Sequence, residues 1–286
     1  MQLAFQKVNL GSLKAAVFQI DSLQAFASIL CYIVLMMAVE AGRLWSAGRM
    51  LKEHQPGFFS WVRMFSETRP FLYLLPASVG TEGMLWVRLR QSAWNHISCG
   101  FVLFLTRMVG MGMWACAAGC ALSGATGIGT ALPASMFRSP MIWWIGGITT
   151  LVASAFLPLL LEHYRGLVLR DGAMGAFLTL QVLSLGSLVL NTGLVFWAGR
   201  AAHIPISPLT ALGLLALLNF AMVLPISIGG FGLQETLVIA VGVPLGFAVP
   251  ALLAFSTLIH AQRLGLILTG LPFFLSTKAL GVKHDF

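Results

Sequence analysis

The stretch Leu224-Pro225-Ile226-Ser227-Ile228-Gly229-Gly230-Phe231-Gly232-Leu233-Gln234-Glu235 separates two apolar runs that would otherwise read as one membrane helix. Proline removes a backbone donor and clashes with the preceding turn. Three glycines within four residues forfeit helix propensity. Inside hydrocarbon every peptide group needs an internal partner, so broken backbone at membrane depth is tolerated only where protein buries it or a wet cavity touches it. Broken helices of this kind form binding sites in transporters. The break therefore predicts a polytopic membrane protein with a site at Pro225 to Glu235.

The rest of the chain agrees. Of its 286 residues 58% are hydrophobic and 9% charged, against about 25% charged in soluble domains. Several apolar stretches are long enough to cross a hydrocarbon core of ~30 Å. Leu23–Trp45, Ile97–Leu122, Met141–Leu161, Ala173–Gly199 and Val249–Leu275 read as five full spans. Residues 1–22 are too polar to span and read as an N-terminal arm or interfacial helix. Residues 23–276 form the transmembrane domain, and 277–286 a short basic cytoplasmic tail. The net charge of +8 is assigned to membrane-flanking anchors, not to nucleic acid. Cys31, Cys99, Cys116 and Cys120 lie within apolar runs, away from His or carboxylate at ligand spacing. They read as small hydrophobes, with no metal or cofactor expected.

A second broken stretch resembles the first. Pro76-x-Ser78-Val79-Gly80-x-x-Gly83 aligns without gaps on Pro225-x-Ser227-Ile228-Gly229-x-x-Gly232. A carboxylate follows each, Glu82 and Glu235, and then a span carrying an arginine, Arg107 or Arg263. If both breaks are re-entrant, three spans separate them and they enter from opposite faces, an inverted repeat. Charge supports this topology. With the N-terminus outside, the inner flanks hold Arg43, Arg49, Lys52, Arg63, Arg69, Arg88, Arg90, Arg165, Arg170, Lys278 and Lys283, and the outer flanks Lys7, Lys14, Arg138 and Arg200.

An arginine within a span costs ~2.5–3.5 kcal/mol on insertion scales. Glu82 and Glu235 are the expected partners of Arg107 and Arg263. A structural ion pair pinning the re-entrant arms and a guanidinium facing a lipid head group both remain open. Glu40 and Glu162 read as interfacial, His260 as a packing residue, and Asn191 and Gln181 as interhelical hydrogen bonders. No nucleophile elbow, zinc-protease motif or phosphate loop is present, so no enzyme is expected.

At Pro225, Gly229, Gly230, Gly232 and Glu235, with Arg263 in the following span, the chain resembles the transmembrane region of lysylphosphatidylglycerol synthases and related stand-alone flippase-like proteins. Pro76, Gly80 and Glu82 meet the family's earlier motif less closely, because Thr81 intervenes. Family members commonly begin with one more span, which residues 1–20 do not supply, and no soluble aminoacyl-transferase domain is visible. The resemblance implies lipid handling in the bacterial inner membrane: binding or translocation of a lipid with an anionic or polar head group. Its site would comprise Arg263, Glu235, Gly229, Gly230, Gly232, Pro225, Arg107, Glu82, Ser78 and Ser227. Alternatives are a membrane subunit scaffolding an enzyme of a polyprenyl-linked sugar or hopanoid pathway, and an ion-coupled small-solute carrier.

Overall fold

The computed structural model describes residues 10–73, 79–123, 139–165, 169–223 and 232–279, all-α in architecture. A short helix α1 (Leu10–Phe18) precedes α2 (Ser22–Gly48), α3 (Phe58–Thr68) with a 3-10 turn (Arg69–Tyr73), and α4 (Val79–Gln91). Then follow α5 (His96–Ser123), α6 (Pro140–Arg165), α7 (Ala173–Ala201), α8 (Pro208–Val223), α9 (Leu233–Gly242) and α10 (Val249–Ala279). Local chemistry fixes several starts. Asp21 accepts from Gln24 N at 3.0 Å ahead of α2, Asn95 Oδ1 from Ser98 N at 2.8 Å ahead of α5, and Ser207 Oγ from Thr210 N at 3.0 Å ahead of α8. Each satisfies an orphan amide of a first turn, and Pro208 occupies a position where its missing N–H costs nothing.

Among the described residues five helices are long and apolar enough to cross a membrane: α2, α5, α6, α7 and α10. They are the five spans expected from sequence. Their outward faces are apolar at helical spacing: Leu23, Phe26, Leu30 and Val34 on α2, and Met174, Leu178, Val182, Leu185 and Val189 on α7, are all exposed. In water such stripes would be a liability; in lipid they are the expected surface. Two boundaries differ from the sequence reading. α6 runs past the expected span end at Leu161 to Arg165, and the stretch between the first two expected spans contains α3, whose Trp61, Phe65 and Glu67 are buried. Between the second and third expected spans, residues 124–138 lie outside the described residues.

Small residues set the closest helix contacts. A Cβ on Gly147 of α6 would meet Cys116 Sγ of α5 at 2.5 Å, and Gly119 of α5 packs against Trp144 of α6. Numbers rise on one helix as they fall on the other, so α5 and α6 are antiparallel. One end of the bundle holds the start of α2 and the close of α7, tied by Asp21 N to Ala201 O at 3.0 Å. The other end holds the close of α2 and the start of α7, tied by Arg170 N to Met50 O at 2.8 Å.

This frame orients the two interrupted elements. Ile204 and Ile206, ahead of α8, share a small pocket with Gly242, Leu245 and Leu252, so α8 and α9 begin and finish at the first end. At the second end, Phe71 stacks edge-on with Phe274, and the Trp94 indole just beyond α4 donates to His54 O at 3.0 Å. Between these anchors Glu82 reaches Arg107, eleven residues into α5, roughly 16 Å along its axis. The two elements thus enter from opposite ends, with three spans between them, as the repeat predicts. The residues of the breaks themselves, 74–78 and 224–231, lie outside the described residues.

Candidate functional site

A cavity of about 250 Å³ opens in the middle of the bundle. It lies where the inner portions of both interrupted elements approach: Thr81 and Glu82 of α4 line it from one side, Leu218 and Asn219 of α8 from the other. Arg43, Arg69, Arg107 and Arg263 face it with Glu40 and Glu82, a formal charge of +2 among six ionisable groups.

The charges are held in distinct clusters. Arg43 Nη1 grips Glu40 at 2.7 and 2.9 Å, while its Nε donates to Ser184 Oγ at 3.0 Å and its Nη2 to Thr106 O at 2.9 Å. Ser187 Oγ donates to Glu40 Oε1 at 2.8 Å, and Asn191 Nδ2 to Ser187 O at 2.8 Å. Gly110 makes room for this: a Cβ there would stand 2.8 Å from Arg43 Nη2. The second cluster is Arg107 Nη1 with Glu82 Oε1 at 2.6 Å. In the third, Arg263 Nη1 donates to Gln234 Oε1 at 2.5 Å, and Gln234 Nε2 reaches Ser256 Oγ at 3.3 Å.

The expected pair Arg107–Glu82 is therefore present. The expected pair Arg263–Glu235 is not: Glu235 accepts from the Gly232 amide at 2.7 Å and pairs with His260 Nε2 at 2.8 Å. The reason is helical phase. Gln234 and Glu235 are adjacent in α9 and so point in different directions, one to Arg263 and the other to His260. Gly232 takes φ +79° and ψ −46° ahead of α9, a positive-φ conformation that glycine reaches without a Cβ clash. Ser78, Pro225, Ser227, Gly229 and Gly230 lie outside the described residues.

Four cavity residues escape a reading centred on the breaks. Glu40, expected at an interface, and Arg43 and Arg69, expected as flanking anchors, line the cavity with Tyr32. One signal for the first cluster is visible in sequence: Ser184, Ser187 and Asn191 at i, i+3 and i+7 make a polar stripe on an apolar span, and such a stripe needs an internal partner. His260, read as a packing residue, is 5% exposed and within hydrogen-bond distance of Glu235, at 2.8 Å.

The fold and the site define a polytopic α-helical membrane protein with a charged cavity between two oppositely directed, interrupted helical elements. No family model matches the chain, and no curated protein matches it.

Proposed function

We propose that the protein binds the anionic or polar head group of a membrane lipid in this cavity and passes it between leaflets. The observation that carries the reading is an arginine-rich cavity at mid-bundle, flanked by interrupted elements that enter from opposite ends. Ionisable groups at membrane depth are costly and mark substrate paths. The cavity is somewhat smaller than the ~300–1,000 Å³ of sites that enclose drug-sized molecules. A head group fits while the acyl chains stay in the bilayer. The motif resemblance to the flippase-like region of lysylphosphatidylglycerol synthases supports the same reading, and a bacterial inner membrane is the location proposed with it. Arg49, Lys52, Arg63, Arg90 and Arg170 cluster at the second end of the bundle, which is assigned to the cytoplasm. The scaffold alternative gives no reason for charges held inside the bundle.

The test is the lipid retained on gentle extraction. Native mass spectrometry of the purified chain should show a phospholipid bound at unit stoichiometry; release of all lipid at low collision energy, with no preferred species, contradicts the reading.

A further inference from the structure

The four arginines of the cavity differ in how far their donors are used. Arg43 spends all three nitrogens on Glu40, Ser184 and the Thr106 carbonyl. Arg107 is ion-paired with Glu82. Arg69 is held otherwise. Its Nε makes a long hydrogen bond to Phe65 O at 3.4 Å, and the guanidinium lies 3.7 Å over the Phe65 ring. Among the described residues no carboxylate ion-pairs with Arg69 and no acceptor takes its two Nη nitrogens. The ring contact fixes the plane of the fork while leaving its outer edge to the cavity that Arg69 lines.

Two further donors converge on the same space from other elements. Arg263 of α10 lines the cavity, held by the neutral amide of Gln234. Tyr32 of α2 lines the same cavity beside Arg69 and Arg263. Glu40 and Glu82 are the cavity's carboxylates, and each is matched to its own arginine. Arg69 lies in the field of both carboxylates but is ion-paired with neither among the described residues, so its Nη edge is left for an anion.

We infer that Arg69, Tyr32 and Arg263 form a phosphate-binding subsite, with Arg69 as its principal anchor. Donors arriving from a 3-10 turn, α2 and α10 surround an anion on several sides. A tetrahedral phosphoryl group offers acceptor oxygens in those directions, and a guanidinium fork matches two of them at once. The inference rests on the lipid reading for its source, a phosphodiester head group, but the same subsite chemistry would take free phosphate.

The full chain in maltoside detergent is titrated by native mass spectrometry with phosphatidylglycerol, with phosphate-free diglucosyldiacylglycerol, and with inorganic phosphate. The expected result is a preference for phosphatidylglycerol over the glycolipid. Arg69→Gln should weaken phosphatidylglycerol by about tenfold or more, as for loss of a charged hydrogen-bond donor, and leave the glycolipid unchanged. Arg69→Lys should lose several-fold, since an ammonium lacks the fork; it also carries the test if Arg69→Gln does not fold. Wild-type affinity for phosphatidylglycerol in either variant overturns the subsite and leaves the lipid reading standing. Arg69-dependent binding of inorganic phosphate without phosphatidylglycerol keeps the subsite and overturns the lipid reading. Equal binding of phosphatidylglycerol and the glycolipid, with no phosphate binding, overturns the subsite and leaves the lipid reading standing; binding of none of the three overturns both.

Discussion

Arg43→Met should destabilise the protein strongly, and adding Glu40→Leu should restore most of the loss. Arg43 makes four hydrogen bonds, two of them to the Glu40 carboxylate. Removing the guanidinium leaves Glu40 with the Ser187 hydroxyl and no neighbouring cation in its cluster. Breaking one side of a buried pair costs about 3–5 kcal/mol. Glu40 keeps 21% of its side-chain exposure, so the lower end, about 3 kcal/mol, is expected. At roughly 2–4 °C per kcal/mol that is a fall in melting temperature of about 6–12 °C. The apolar double variant removes both charges, and such swaps are often neutral; it should melt within about 4 °C of wild type. Intrinsic fluorescence from the eight tryptophans follows the melt in detergent. A shift under about 2 °C for Arg43→Met, or a double variant no better than the single, refutes the claim that this pair is held by mutual compensation.

Gly110→Ala should reproduce part of that loss in the same melt, because its Cβ would stand 2.8 Å from Arg43 Nη2. Gly232→Ala should cost about 1–3 kcal/mol, the cost of holding an L-residue in the sparsely populated region at φ +79°, ψ −46°, read as a lowered melting temperature. Gly147→Leu should separate α5 from α6, where Cys116 Sγ already stands 2.5 Å from the position of a Cβ, and should lower the yield of monodisperse protein on size exclusion. In a cysteine-free background, cysteines at the exposed positions Gln91 and Ser207 should label from opposite faces of the membrane; labelling from one face contradicts the opposed entry of the two elements.

The spans were legible because nothing else explains apolar runs of that length, and the sequence boundaries fall within a few residues of the helix ends. The opposed entry was legible through span parity and charge. The site was legible only in part. Arg107–Glu82 follows from two charges that each need a partner in hydrocarbon. Arg263 was visible for the same reason, but its partner depends on which of two adjacent residues of α9 faces α10, and a spacing rule cannot resolve one residue of helical phase. Arg43 and Arg69 were misplaced because one sits at the end of a span and the other in the polar stretch after it, where basic residues ordinarily mark the membrane surface. Only the fold shows that Arg43 is buried within α2, and that the chain turns back after α3 to bring Arg69 to the cavity.

The central claim is that this cavity carries lipid head groups across the bilayer. Its most direct test is translocation of fluorescent phosphatidylglycerol in liposomes holding the purified chain, with dithionite bleaching the outer leaflet. The account predicts bleaching well beyond the outer-leaflet fraction with wild-type protein, and a return toward protein-free liposomes with Arg263→Met inserted at equal density. Bleaching at the protein-free level with folded wild-type protein, or unchanged translocation by Arg263→Met, would contradict it.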